Sequence, residues 1–93
     1  MKKVTPLKNG ADFVTKRMEA DSGEAFPEHT ASVESVLVVI RGRCVVKFPD
    51  ADHALEAGDS FVVPADVWHQ VVADPDFSAV HIMPHQIRFE FAD

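Results

Sequence analysis

The stretch His29-Thr-Ala-Ser-Val-Glu-Ser-Val-Leu-Val-Val-Ile-Arg-Gly42 decides the fold of this 93-residue chain. Its continuous apolar run, 36–40, is too short for a helix and rich in valine, which favours a strand buried on both faces. Because glycine supplies a tight turn, we predict one at the end of this stretch, before a second strand over 44–48. The histidine before the run brings a side chain that can bind a ligand into the same sheet.

A second stretch also combines a glycine, a short apolar run and a histidine: Gly58-Asp-Ser-Phe-Val-Val-Pro-Ala-Asp-Val-Trp-His69. A glycine begins a short apolar run over 61–63, a proline ends the run, and a histidine follows. Glycine and proline delimit a short strand in this way. We therefore predict a turn at Gly58, where a positive backbone φ is expected.

The rest of the chain has little helical periodicity and reads as a series of short strands. Turn residues at Asp74-Pro75-Asp76 separate a strand over 68–73 from another over 77–83, and 87–91 alternates between apolar and polar residues. The count is about nine or ten strands, with turns every eight to twelve residues, which is typical of an all-β sandwich or barrel. One domain spanning residues 1–93 is expected.

Composition and charge exclude several classes of function. Hydrophobic residues make up 46% of the chain, and no apolar run approaches the roughly 18 residues that a membrane-spanning helix needs. The net charge is −6 and the nine basic residues are scattered, which argues against binding to nucleic acid or to anionic membranes. No hydrophobic segment follows Met1-Lys2-Lys3, so we expect no secretory signal and a cytoplasmic protein.

The single cysteine, Cys44, excludes an internal disulfide and a cysteine-only metal site. It lies in an apolar context beside two valines. A free cysteine in such a context is more often a small buried hydrophobe than a nucleophile, and both interpretations stay open at this point.

The apolar run also bears on assembly. Along a strand, Val36, Val38 and Ile40 point one way while Leu37 and Val39 point the other. A two-sheet sandwich covers one face of each strand, so the second face needs a cover. The terminal strands or a second subunit would supply it, and we expect a homodimer.

Taken together, the two stretches resemble a small single-domain cupin, a jelly-roll barrel or double-stranded β-helix, over residues 23–83. The family's first motif is Gly-x5-His-x-His-x3-4-Glu-x6-Gly, and its second is Gly-x5-Pro-x-Gly-x2-His-x3-Asn. The matching positions are Gly23, His29 and Gly42 in the first motif, and Gly58, Pro64 and His69 in the second.

The resemblance implies a metal-ligand set that this chain keeps only in part. Metal-binding cupins use two histidines and a glutamate of the first motif with the histidine of the second. His29 and His69 occupy the first and last of these positions, whereas Ala31 and Ser35 replace the other two. Glu34 is one residue away, and a one-residue offset turns a strand side chain to the opposite face unless a bulge intervenes.

A third histidine, His81, is the next candidate for this site. If 74–76 forms a three-residue hairpin loop, His69 opposes His81, and opposed residues share a face. Each histidine is then either a pocket residue satisfied by hydrogen bonds or a member of a metal site. Two imidazoles alone make a weak site, and three can hold zinc or another divalent ion.

We therefore expect a small-molecule-binding barrel, non-catalytic or sensing, with its ligand held by His29, Ser35, His69 and His81. No catalytic residue is identified and no cofactor is expected. The alternative is a metal-dependent cupin enzyme of the dioxygenase or isomerase type, with one divalent ion on the three histidines. The identity of the ligand does not follow from the residues.

Overall fold

The computed structural model describes residues 1–92, and every regular element within them is a β-strand. The eight strands in chain order are β1 Lys3–Asn9, β2 Phe13–Ala20, β3 His29–Ala31, β4 Ser35–Lys47, β5 Asp52–Glu56, β6 Ser60–Val63, β7 Gln70–Pro84 and β8 Phe89–Phe91. This part of the chain holds no helix long and apolar enough to cross a membrane. The all-β prediction is confirmed.

Two sheets form the barrel, and all their strand pairs are antiparallel. The larger sheet has the order β1-β2-β7-β4-β5, with β6 also paired to β4, and the smaller sheet pairs β3 with β8. An isolated bridge between His29 and His69 joins β3 to the residue just before β7. Both histidine-bearing stretches of the sequence therefore meet at one place.

The prediction of a turn at Gly42 is wrong, because β4 runs through it as one long strand. The register between β4 and β7 shifts on both sides of Gly42, so the residue sits at a β-bulge. Its φ is +73°, in the left-handed region that glycine favours, and a Cβ there would overlap the backbone carbonyl of Asp76. Glycine is required at this point by close backbone approach rather than by a reversal of the chain.

The turn predicted at Asp74-Pro75-Asp76 is also wrong, since these residues lie inside β7. In the ladder with β4, Gly42 pairs with Phe77 and Cys44 pairs with Ala73. Three residues of β7 thus oppose a single residue of β4, Arg43, whose Nε donates to the Asp74 carbonyl at 2.8 Å. The turn-forming residues here produce a bulge of three residues. The two short strands predicted on either side of them are a single strand, β7.

The most deeply buried side chains of the core come from β4 and β7. Those at most 1% exposed are Val39, Cys44, Val46, Phe77 and Ala79. We call four of them, which lie at and beside the two bulges, the closed end: Val39, Cys44, Phe77 and Ala79. Burial raises the pKa of the Cys44 thiol to about 11, so the thiol stays protonated at neutral pH. The interpretation of Cys44 as a small buried hydrophobe is confirmed.

The outer face of β4 differs from the prediction of a strand buried on both faces. Leu37 and Val39 are buried, but Val36 and Val38 are only half-buried and Ile40 is 56% exposed. The terminal strands do not cover this face. β1 extends the larger sheet beyond β2 and β8 pairs with β3, so each joins a sheet edge instead.

Candidate functional site

A cavity of about 250 Å³ opens inside the barrel at the end opposite the closed end. We call its lining the open end; it consists of Val4, Lys16, Met18, Phe26, Pro27, His29, Leu37, Val63, His69, Val71, His81, Met83, Phe89 and Phe91. The lining is mostly apolar, with three imidazoles and one ammonium group. Phe26 also packs edge-on against Phe77 with ring centroids 6.2 Å apart, so this ring separates the cavity from the closed end.

His29 and His69 face each other because their backbones form a reciprocal bridge. The N–H of each donates to the carbonyl of the other at 3.0 Å, and the ring centroids are 4.4 Å apart. The Nδ1 of His29 lies 2.9 Å from the carbonyl of Pro27, and that of His69 lies 2.9 Å from the carbonyl of Val67. Because a carbonyl only accepts, each Nδ1 carries the proton and donates, which leaves Nε2 as the acceptor of the neutral ring.

His81 enters the same cavity from β7, but not by the predicted route. It pairs with Lys16 of β2 on one side and with Leu37 of β4 on the other, so the predicted hairpin pairing with His69 is wrong. Paired residues share a face of the sheet, and these three side chains therefore form one row on the inner wall. The structure brings His81 together with His29 and His69 on the cavity wall through these pairings.

Ser35 lies behind the cavity wall rather than on its surface. It is 4% exposed, and its Oγ shares a hydrogen bond of 2.7 Å with Nε2 of His81. Glu34, the neighbour that a bulge would have brought inward, is exposed. Of the four residues predicted to hold a ligand, three line the cavity and Ser35 orients one of them.

Burial keeps two of the histidines neutral. The pKa of His81 is lowered to about 4, first by burial and then by the nearby His29, His69 and Lys16. Burial also lowers the pKa of His69, against the hydrogen bond to Val67. At neutral pH these rings therefore offer neutral hydrogen-bonding groups to a ligand.

The contact between Ser35 and His81 has the geometry of a nucleophile and its base, yet it lacks the chemistry. A base with a pKa near 4 takes little proton from a serine at neutral pH. The hydrogen bonds within residues 1–92 include no carboxylate acting on the His81 ring, so the third group of a catalytic triad is missing there. The bond fixes the ring in place.

The donor set does not fit the metal centre that the resemblance implies. Within residues 1–92 no group of three or more His, Cys, Asp or Glu side chains is placed to hold a metal ion. His29 and His69 offer two Nε2 acceptors, but Nε2 of His81 is engaged by Ser35. Stable protein metal sites usually have three protein ligands, and this donor set falls short of that number.

Two other departures from the cupin motifs have structural explanations. Asp66 replaces the second motif's middle glycine and adopts the left-handed conformation expected of that glycine, with φ +63°. Aspartate tolerates this conformation better than most residues do. Ala31, at the position of the missing histidine, is 2% exposed and packs in a small cluster with Met83 and Ile87.

Lys16 is the charged residue of the cavity lining, and the sequence analysis did not identify it as a site residue. In β2 it lies on the same face as Val14, Met18 and Ala20, which point to the interior, whereas Arg17 beside it is exposed. The signal was the period of two, which assigns a lysine to an inward position of a strand. Lysines are mostly exposed in proteins, so Lys16 was not considered as a residue of the interior.

The family follows from sequence as well as from fold. The family model for the cupin domain matches residues 16–85, and this range contains both histidine stretches and most of the cavity wall. The chain therefore belongs to the cupin domain family. Its sequence matches no curated protein.

Solved structures share the fold at low sequence identity. A cupin-2 domain containing protein from Shewanella frigidimarina is 23% identical, with a TM-score of 0.80 over 89% of this chain and 80% of that one. KdgF from Halomonas is 21% identical, with a TM-score of 0.78 over 89% and 79%. The salicylate 1,2-dioxygenase of Pseudoaminobacter salicylatoxidans, in complex with gentisate, is 18% identical, with a TM-score of 0.84 over 97% of this chain but 29% of that one.

Proposed function

We propose that this cupin domain is a non-catalytic binding or sensing module for a small organic molecule, which it holds without a resident metal. The observation that carries the proposal is the cavity, hollow and mostly apolar, with His29, His69 and His81 on its wall. A concave apolar site with a few converging polar groups is the usual form of a ligand pocket. The structures that share this fold include a dioxygenase, so the fold alone does not choose between binding and catalysis.

The size of the cavity limits the ligand. A dry apolar cavity of about 150 Å³ admits benzene, and the cavity here measures about 250 Å³. By proportion it suits a molecule of roughly ten non-hydrogen atoms, such as a six-membered ring with one or two substituents. The Nε2 atoms of His29 and His69, whose Nδ1 atoms donate to backbone carbonyls, would accept hydrogen bonds from such a ligand.

Two features argue against catalysis by this site. The pairing of Ser35 with His81 lacks an orienting acid and an effective base. Two available imidazoles fall short of a three-ligand metal centre. Binding, by contrast, needs only the shape and the polar groups that the wall presents.

The experiment is an amide NMR titration with three probes that share one ring: benzamide, benzoate and benzylamine. We expect at least one of them to saturate and to shift the amides of His69, Val71 and Met83, which lie on the wall. Val63→Phe should abolish these shifts by filling the cavity. Val67→Phe is the matched control, because Val67 is 36% exposed and lies outside both the cavity lining and the outer face of β4. Absence of saturable binding by any probe, or normal binding by Val63→Phe, would refute the proposal.

We also propose that the protein assembles as a homodimer through the outer face of β4. Val36 and Val38 are half-buried, and Ile40 and Val62 beside them are exposed. Of the two covers expected for this face, the terminal strands are paired elsewhere, which leaves a second copy. Light scattering at micromolar concentration should give a mass of two chains for the wild type. The Val38→Lys variant should give the mass of one chain. A wild-type monomer would contradict the proposal.

A further inference from the structure

Lys16 gives the open end a positive charge that nothing on the cavity wall balances. The lining residues within 1–92 include no aspartate or glutamate. The ion pairs in that part of the chain join the amino terminus to Asp21 and Glu24, and Lys3 to Glu19, so none involves Lys16. A lysine on a mostly apolar wall with no carboxylate beside it can pair with an anionic group of a ligand.

The position of Lys16 is fixed by the sheet and not by a mobile loop. It lies within β2, half-buried, and is flanked by Pro6 of β1 and by His81 of β7. Lys16 and His81 are direct cross-strand partners that line the same cavity, which places the lysine side chain beside the cavity's polar wall. The rim around it is apolar, formed in part by Val4 and Phe91.

The charge of the cavity is opposite to that of the whole chain. The net charge is −6, so the protein as a whole repels anions. A single inward lysine would therefore act locally, by pairing with one anionic group after the ligand has entered. The apolar wall formed by Leu37, Val63 and Met83 would take the remainder of such a ligand.

From this arrangement we infer that the ligand is a small organic monocarboxylate, with its carboxylate paired to Lys16 and its apolar body inside the barrel. The inference rests on the proposed function, since it names the class of ligand for the same cavity. A hydrogen bond to a charged group contributes more than one between neutral groups, and loss of the lysine should weaken carboxylate binding by roughly tenfold to a hundredfold.

The test compares benzoate with benzamide, which has the same ring and nearly the same shape but no charge. Affinities are measured by NMR titration for the full chain, for Lys16→Met and for Lys16→Arg. Lys47→Met serves as the matched control, because Lys47 is an exposed lysine at the end of β4. We expect the wild type to bind benzoate at least about tenfold more tightly than benzamide. Lys16→Met should lose this preference, while Lys16→Arg and Lys47→Met keep it.

The outcomes separate the inference from the proposed function. Equal affinities of the wild type for benzoate and benzamide, or an unchanged preference in Lys16→Met, would overturn the monocarboxylate and leave the binding cavity standing. Failure of every probe to bind the wild type would overturn both. Benzamide binding by Lys16→Met at the wild-type affinity shows that the variant has kept its cavity, so a misfolded variant cannot imitate the expected result.

Discussion

The closed end and the open end of the barrel are both built by β4 and β7. The facing pairs of residues that represent them lie two positions apart along each strand. At the closed end the facing pair is Val39 of β4 and Ala79 of β7, both fully buried. Two residues further along, the facing pair is Leu37 and His81, and the interior is hollow. The packed core and the cavity therefore occupy adjacent lengths of one face of the sheet, since residues two apart along a strand point the same way.

The histidines and the lysine of the barrel interior lie at the open end. His81 carries a hydrogen bond to Ser35 there, and Lys16 lies beside it in the neighbouring strand. At the closed end, packing is uninterrupted around Phe77 and Cys44. Hollow space lowers stability, so we expect the closed end to supply most of the free energy of folding.

The largest effect should come from removing an aromatic ring at each end in turn. Phe77 is 0% exposed and Phe91 is 59% exposed. We expect Phe77→Ala to lower the free energy of unfolding by about 3–5 kcal/mol, because it leaves a cavity in packed surroundings. Phe91→Ala should cost less than about 1 kcal/mol. Urea unfolding of both variants checks this, and similar losses would mean that the two ends do not divide stability as described.

Acid should destabilise the protein through the open end. Between pH 6.5 and about 4, His81 binds a proton in the unfolded chain but not in the folded one, so stability falls as the pH drops through that window. Above pH 6.5 the residue adds no pH dependence. The complete loss, reached below about pH 4, is roughly 3 kcal/mol.

The measurement is urea unfolding at several pH values for the wild type and for His81→Gln. The variant keeps a hydrogen-bonding side chain but cannot titrate, so its stability should fall less steeply between pH 6.5 and 4. Parallel curves for the two proteins would show that His81 is not kept neutral by its surroundings.

A smaller effect distinguishes two glycines that share a positive φ. Gly58 has φ +95° with open space around it, whereas a Cβ on Gly42 would overlap the backbone at Asp76. Gly58→Ala should cost about 1 kcal/mol from backbone strain alone. Gly42→Ala should cost roughly 2 kcal/mol more, since the bulge of β7 must move as well. Equal thermal stability of the two variants would contradict the close approach seen at the bulge.

The sequence was a good guide to the fold where glycine, proline and histidine recur at fixed spacing. The two stretches ending at Gly42 and His69 were enough to predict a cupin barrel, and the β5–β6 turn at Gly58 is where it was expected. The errors fell at Gly42 and at 74–76. Both segments carry turn residues, but bulges use the same residues as turns, and only the pairing of distant strands distinguishes the two.

Prediction of the site was limited by the same long-range pairing. His29 and His69 were found because the motif positions them, and His81 was found through a hairpin that does not exist. Lys16 was missed, because its position on the cavity wall depends on β2 lying beside β7, a contact across 65 residues of sequence. Local alternation shows which way a side chain points, but it does not show what lies on that side.

The central claim is that the barrel holds an organic ligand and no resident metal, and native mass spectrometry of dialysed, untagged protein tests it most directly. We predict a spectrum without a constant metal increment, and one added benzoate per chain when the probe is supplied. One tightly held ion per chain, lost in both His29→Ala and His69→Ala, would contradict the claim and make a metal-dependent enzyme the better description.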